Sequence, residues 1–304
     1  MRALITGVSG FVGRHLIAHL EQSGDDVEGC DREDGSIDID DRASIDGILE
    51  RFRPEVVYHL AGWSDVGGSW QAPEETFRAN AQGTLNVLLA SKAVGVERVL
   101  SVSSADVYGI VGEDELPIDE DAPLRPVTPY AASKVAADFL GLQAWLGWKL
   151  PVVRARAFNH LGPGQSPRFV APALAARIAR NELDGGTEVP IGNLSARRDF
   201  TDVRDVVRAY RLLVEHGEAG EAYNVCSGVD VEITDIAVRL LAGARSPMSL
   251  RHDPSLERPV DIPVLRGDNS RVHKTTGWMP TISLDQTLTD ILDEMRDRVS
   301  RDRG

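Results

Sequence analysis

Short apolar runs alternate with longer amphipathic stretches through the first half of the chain. Ala3–Thr6, Asp26–Cys30, Val56–Ala61, Arg98–Ser103 and Val152–Phe158 read as strands, and Phe11–Glu21, Ala43–Phe52, Phe77–Val94 and Ala131–Leu146 as the helices between them. Strands of this kind are buried on both faces. Their regular exchange with helices predicts an α/β fold, a Rossmann-type doubly wound parallel sheet.

After about Asn159 the pattern loosens. Gly/Pro-rich loops (Gly162-Pro163-Gly164-Gln165 and Arg258-Pro259) separate predicted helices at Val170–Arg180, Val203–Glu215, Ile233–Ala242 and Leu284–Val299, with short strands such as Ala222–Cys226 between them. We read residues 1–158 as a dinucleotide-binding domain to which later segments return, and residues 159–304 mainly as a smaller C-terminal substrate-binding lobe. Ligands of open α/β sheets bind beyond the carboxyl ends of the strands, so the cleft is expected between the two.

Composition narrows the function. The 304 residues carry a net charge of −14 with scattered arginines, which speaks against a nucleic-acid surface; an anionic substrate must be met by local Arg residues. No apolar run approaches the ~20 residues that span a bilayer, and Met1–Gly7 enters a strand without a secretory apolar region. The two cysteines, Cys30 and Cys226, lie in apolar segments. They predict free thiols in a reducing cytoplasm. No metal site is expected.

The chemistry is concentrated at two places. Gly7, Gly10 and Gly13 lie three apart at the first strand–helix junction, with Ser9, Phe11 and Val12 in the same loop. Such a loop lets the backbone approach a pyrophosphate while the helix N-terminus favours its charge. Asp31 at the end of the second strand suits the ribose hydroxyls of NAD(H), whereas the neighbouring Arg32 suits the 2′-phosphate of NADP(H); both cofactors stay open. Downstream, Tyr130 and Lys134 are one helical turn apart. A phenol titrates near ~10, and a cation on the same helix face is what allows it to exchange a proton at neutral pH. Ser104, at the end of the preceding strand, is placed to hydrogen-bond the same substrate oxygen.

Together these residues resemble the extended short-chain dehydrogenases/reductases that act on nucleotide sugars. The resemblance runs through Thr6–Gly13, His59-Leu60-Ala61-Gly62, Asn80 with Gly83-Thr84, Ser103–Gly109, Tyr130 with Lys134, and Arg198–Val203. It implies that Asp38 and Ile39 contact the adenine, that Leu60, Ala61 and Gly62 border the cofactor, and that Asn80 is a structural asparagine there. It also implies a homodimer through a four-helix bundle formed by Phe77–Val94 and Ala131–Leu146. Within the family, Phe158–Gln165 and Tyr223–Gly228 are most similar to GDP-4-keto-6-deoxy-mannose reductases, which make GDP-rhamnose. By that resemblance Asn159, Arg198 and Arg258 hold the diphosphate of a GDP-linked nucleotide sugar. The family's 4,6-dehydratases carry Thr-Asp-Glu or Thr-Ser-Glu where this chain has Ser104-Ala105-Asp106. Ala105 supplies no proton, which disfavours dehydration, while Asp106 remains a candidate catalytic carboxylate. A cytoplasmic NAD(P)H-dependent 4-ketoreductase is the leading expectation. A 4-epimerase retaining NAD is the nearest rival, and a non-catalytic dinucleotide sensor the rival from another class.

Overall fold

The computed structural model describes residues 1–32, 37–192, 195–256 and 262–301. In the first half the order is β1 (Arg2–Thr6), α1 (Phe11–Gln22), β2 (Asp26–Cys30), α2 (Arg42–Phe52), β3 (Val56–His59), α3 (Pro73–Phe77), α4 (Gly83–Val94), β4 (Arg98–Ser104), α5 (Pro129–Trp148) and β5 (Val152–Ala157). There follow β6 (Asn159–Leu161), α6 (Val170–Asp184), β7 (Glu188–Ile191), β8 (Arg197–Asp202), α7 (Val203–His216), β9 (Ala222–Val225), β10 (Asp230–Glu232), α8 (Ile233–Ala242), β11 (Ser249–His252), β12 (Val264–Leu265), α9 (Ser270–Thr276) and α10 (Leu284–Arg301).

Six strands form one sheet in the order β2-β1-β3-β4-β5-β9, with every pair parallel. Its strands are largely buried on both sides because successive side chains enter opposite cores; the exception is the edge strand β2, where only Cys30 is buried. Ala3 and Ile5 pack with α1 and α7 (Leu16, Leu20, Val206, Tyr210). Leu4, Val57, Val99 and Val152 pack on the other face with α2, α4 and α5 (Ile45, Leu49, Val87, Ala144). Strand order reverses between β1 and β3, so the loops after these two strands part and leave a crevice.

A third apolar cluster joins α6, α8 and α10 over β7 through Leu174, Ile178, Val189, Ile236, Leu240 and Ile291. The short strands β10, β8 and β12 form a small sheet, and β6 pairs with β8.

Between α3 and α4 the structure departs from the single helix expected over Phe77–Val94. The helical path starts earlier, at Pro73, whose missing N–H and fixed φ suit a first turn. It then widens into a π-helical turn over Arg78–Gln82 before α4 resumes at Gly83. That turn carries Asn80.

Candidate active site

The glycine loop is built for close approach. Gly7 has φ +79°, and a Cβ there would lie 2.8 Å from the Ala61 nitrogen. A Cβ on Gly13 would lie 2.3 Å from the Gly7 carbonyl oxygen, so α1 and the β1 turn touch backbone to backbone. Gly10 is the N-cap of α1 and offers no side-chain acceptor, which leaves the first N–H groups of the helix facing the crevice. A side-chain-free cradle with uncapped N–H groups fits a dinucleotide pyrophosphate.

Asp31 tethers this loop. Its Oδ2 accepts from the Ser9 hydroxyl (2.5 Å) and the Ser9 N–H (3.2 Å), while Arg32 stands exposed beside it. The Asp38-Ile39 pair is fixed from α4, where Asn86 donates to the Ile39 carbonyl at 2.9 Å. Phe11 and Val12 are half-buried, as are Leu60 and Ala61 at the end of β3.

The candidate catalytic groups meet where β4 ends and α5 begins. Thr128 caps α5 by accepting from the Ala131 N–H, which sets Tyr130 in the first turn. Tyr130 and Lys134 are both buried. Burial raises the phenol's pKa, the nearby Asp106 carboxylate adds to that, and the Ser104 hydroxyl opposes it. Lys134 donates to the Val102 carbonyl at 3.1 Å, and burial pulls its ammonium down to about 8. Ala105 faces away from this chemistry into an apolar cluster with Val107, Tyr108, Ile118 and Phe158. The neighbouring Asp106 is only half-buried, and its N–H donates to the Ser104 hydroxyl.

Asn80 is buried between the two halves of the site. Its Oδ1 accepts from the Trp63 N–H (2.8 Å), and its Nδ2 donates to the Trp63 carbonyl (3.2 Å) and the Ser133 hydroxyl (2.8 Å). It thereby ties the Gly62-Trp63 loop to α5.

The residues expected to hold the substrate are less tightly gathered. Asn159 is exposed on β6 opposite Phe200, and Arg198 is half-buried on β8 with Nη1 donating to the Arg197 carbonyl. Arg258 lies outside the described residues. The Gly162–Gln165 loop is held from both sides: His15 on α1 donates through Nε2 to the Pro163 carbonyl (2.8 Å), and Glu294 on α10 accepts from the Gly164 N–H (2.7 Å). Phe11 stacks on His160 with ring centroids 6.1 Å apart.

Two buried carboxylates unused by the sequence reading organise the surroundings. Asp138, one turn beyond Lys134 on α5, bridges Arg154 and Arg156 of β5, and Arg156 also donates to the Tyr108 hydroxyl (3.0 Å). Asp199 accepts from the Ser227, Gly228 and Gly267 N–H groups, drawing two distant loops onto β8. Arginines at alternate positions of a buried strand were a legible sign of the first; nothing local marks the second.

A parallel sheet with a glycine cradle after its first strand, and a buried serine, tyrosine and lysine beside it, defines an NAD(P)-linked short-chain dehydrogenase/reductase site. The comparisons sharpen this. Residues 35–291 match the family model for GDP-mannose 4,6 dehydratase, and the chain belongs to that family. It is 40% identical over 302 residues to a GDP-6-deoxy-D-mannose reductase of Pseudomonas aeruginosa, covering 98% of each chain. Among solved structures it is similar to RMD from Pseudomonas aeruginosa complexed with NADPH (TM-score 0.90, 38% identity, 98% of this chain and 99% of that one). It is also similar to a Thermus thermophilus UDP-glucose 4-epimerase complex with NAD (TM-score 0.86, 28% identity, 97% and 99%).

Proposed function

We propose that this protein is an NAD(P)H-dependent reductase of a nucleotide-linked 4-keto-6-deoxy sugar, with GDP-4-keto-6-deoxy-D-mannose as substrate and GDP-D-rhamnose as product. The observation that carries the reading is a buried Tyr130, whose surroundings favour the protonated phenol, together with a Ser104-Ala105-Asp106 turn in which Ala105 is apolar and buried. A phenol kept protonated by burial is a proton donor in waiting, as reduction of a ketone requires. Loss of water across C5–C6 needs a further acid beside the sugar, and Ala105 provides none. The relative at 40% identity supports the same substrate.

Gly7, Gly10, Gly13, Asp31 and Gly62 would hold the cofactor, whose nicotinamide supplies a hydride to C4 when bound. Ser104 orients the C4 carbonyl oxygen by hydrogen bonding. Tyr130 gives its proton to O4 as negative charge develops there, and the Lys134 ammonium stabilises the phenolate left behind. Asn159, Arg198 and Arg258 meet the diphosphate as charge-assisted donors.

The active unit in this reading is a cytoplasmic homodimer. Phe77 and Phe139 are each about half exposed and, with Ala81, Leu85, Ala136 and Leu140, line an apolar groove beside α4 and α5 that a second copy would cover. Two buried free thiols fit a reducing compartment. Among the described residues no helix is long and apolar enough to cross a membrane.

The test is to supply the purified protein with GDP-4-keto-6-deoxy-D-mannose and follow nicotinamide absorbance. One NAD(P)H consumed per sugar is expected, and none with GDP-mannose alone. Tyr130→Phe should keep cofactor binding and lose turnover by ~10²-fold or more. Interconversion of 4-epimeric nucleotide sugars on copurified NAD, with no net nicotinamide consumed, would replace the reductase by an epimerase.

A further inference from the structure

His59 is 3% exposed at the end of β3, between the cofactor crevice and α4, and both ring nitrogens are hydrogen-bonded. The direction of every bond around it follows from the partners. The Thr84 hydroxyl lies 2.6 Å from the Asn80 carbonyl oxygen, which only accepts, so Thr84 gives its single proton there. Its oxygen, 2.9 Å from His59 Nε2, must therefore accept, and Nε2 carries a hydrogen. On the other side the Thr6 oxygen accepts from the Ala61 N–H (3.2 Å) and lies 2.8 Å from Nδ1. A bare Nδ1 gives the Thr6 proton its acceptor; a protonated Nδ1 would leave that hydroxyl hydrogen unmatched in a buried site. The neutral Nε2–H ring satisfies all four groups.

The chain of bonds so fixed runs from one part of the site to another. It begins at Ala61 N–H, against which Gly7 packs, and passes through Thr6, His59 and Thr84 to the Asn80 carbonyl in the π-helical turn. A π turn interrupts the ordinary helical ladder, and the Thr84 hydroxyl donates to the Asn80 carbonyl within it. From the same residue, the Asn80 side chain bonds the Ser133 hydroxyl, which donates to the Tyr130 carbonyl at 2.7 Å.

We propose that His59, as its neutral Nε2–H tautomer, is a positioning residue for the reaction: through Thr84 and Asn80 it fixes the first turn of α5, and with it Tyr130 and Lys134, relative to the cofactor loop. Burial, assisted by the Lys134 charge, holds the His59 pKa down at about 3 and agrees with an uncharged ring. His59 touches neither substrate nor cofactor in this account. It acts by removing the freedom of the residues that do, and a displacement of about an ångström at such groups is enough to cost up to ~10²-fold in rate.

Two measurements test this, and only the second rests on the reductase reading. In ¹⁵N-histidine-labelled wild-type protein at neutral pH, with His59→Gln used to assign the signal, the His59 ring should show a protonated Nε2 and an unprotonated Nδ1. The opposite tautomer, or a charged ring, overturns the proposal whatever the enzyme reduces. In the ketoreductase assay, Thr84→Val removes the relay hydroxyl at nearly constant volume, whereas Thr84→Ser keeps it. Thr84→Val should lower kcat about tenfold, with KM for the nucleotide sugar within about twofold, and Thr84→Ser should recover most of the loss. A kcat within about twofold of wild type in folded Thr84→Val, or a Thr84→Ser no better than Thr84→Val, overturns it. Should Thr84→Val fail to fold, the ring-nitrogen result decides. Wild-type protein that turns over no 4-keto sugar sinks the reductase reading and leaves that first arm intact.

Discussion

The two sides of the crevice are held together differently. On the cofactor side, backbone meets backbone at Gly7 and Gly13, and Asn80, Lys134 and His59 are buried with defined hydrogen bonds. On the proposed substrate side Asn159 is exposed, Arg198 is half-buried, and the intervening loop is pinned at its backbone by His15 and Glu294. In the proposed reaction both ligands exchange in every turnover; the dinucleotide always presents the same pyrophosphate and ribose, which backbone complementarity suits, whereas the sugar nucleotide would be met by polar side chains from the short strands β6 and β8.

The sharpest way to break this contrast is to remove the charge that anchors the rigid side. Asp138 is fully buried between Arg154 and Arg156, and Asp138→Asn leaves two guanidiniums without their carboxylate. Removing one partner of a buried ionic cluster costs about 3–5 kcal/mol, because the remaining charges stay buried. Denaturant unfolding should show a loss of that size. A loss below about 1 kcal/mol would mean that hydrogen bonds to Tyr108 and the neighbouring carbonyls solvate the arginines without the carboxylate.

Lys134 should give the opposite sign. Its folded pKa of about 8 lies below the 10.5 of an unfolded lysine, so the unfolded chain binds the proton more strongly and the charged side chain opposes folding. The sign follows directly: this penalty is complete below pH about 8 and is relieved as pH rises from there toward 10.5. Lys134→Met should therefore stabilise the fold at pH 7 by up to about 3 kcal/mol while abolishing turnover. The stability gain should shrink between pH 8 and 10.5. A gain independent of pH would assign it to packing. No gain at all would show that the bond to the Val102 carbonyl compensates burial in full.

The difference between the two sides also decides what the sequence revealed. Gly7, Gly10, Gly13, Tyr130 and Lys134 sit at fixed spacings within single elements, so periodicity alone placed them on a loop and on one helix face. Asp138 continues that face by one more turn, yet its meaning depends on two arginines from β5. The π-helical turn that carries Asn80 has no local signature, and the side chain it presents bonds Trp63 and Ser133, which are distant in the chain. The clamp at Asp199 joins residues 28, 29 and 68 positions away, a separation that no window along the chain spans.

On the substrate side, Arg198→Ala should weaken binding of GDP or GDP-mannose by about 1.5–3 kcal/mol, the range for a lost charge-assisted hydrogen bond. Cofactor affinity should hold. Calorimetry distinguishes this from general loosening of β8, which would weaken both ligands; unchanged nucleotide affinity would move the diphosphate away from Arg198.

The smallest effect is expected where the rigid side must discriminate between two cofactors that differ by one phosphate. Asp31 is already engaged through Oδ2 with Ser9, so its work is divided between tethering the loop and facing the ribose. A carboxylate at this place repels a 2′-phosphate, while the adjacent exposed Arg32 attracts it, and the two contributions partly cancel. Asp31→Ala removes the repulsion and keeps the guanidinium, so the ratio of kcat/KM for NADPH over NADH should rise by about tenfold or less, roughly 1.4 kcal/mol at most. Because Ser9 loses its acceptor in the same variant, kcat/KM for NADH should fall as well. A ratio that stays constant while both values fall would make Asp31 a loop tether alone, and cofactor choice would then rest on Arg32.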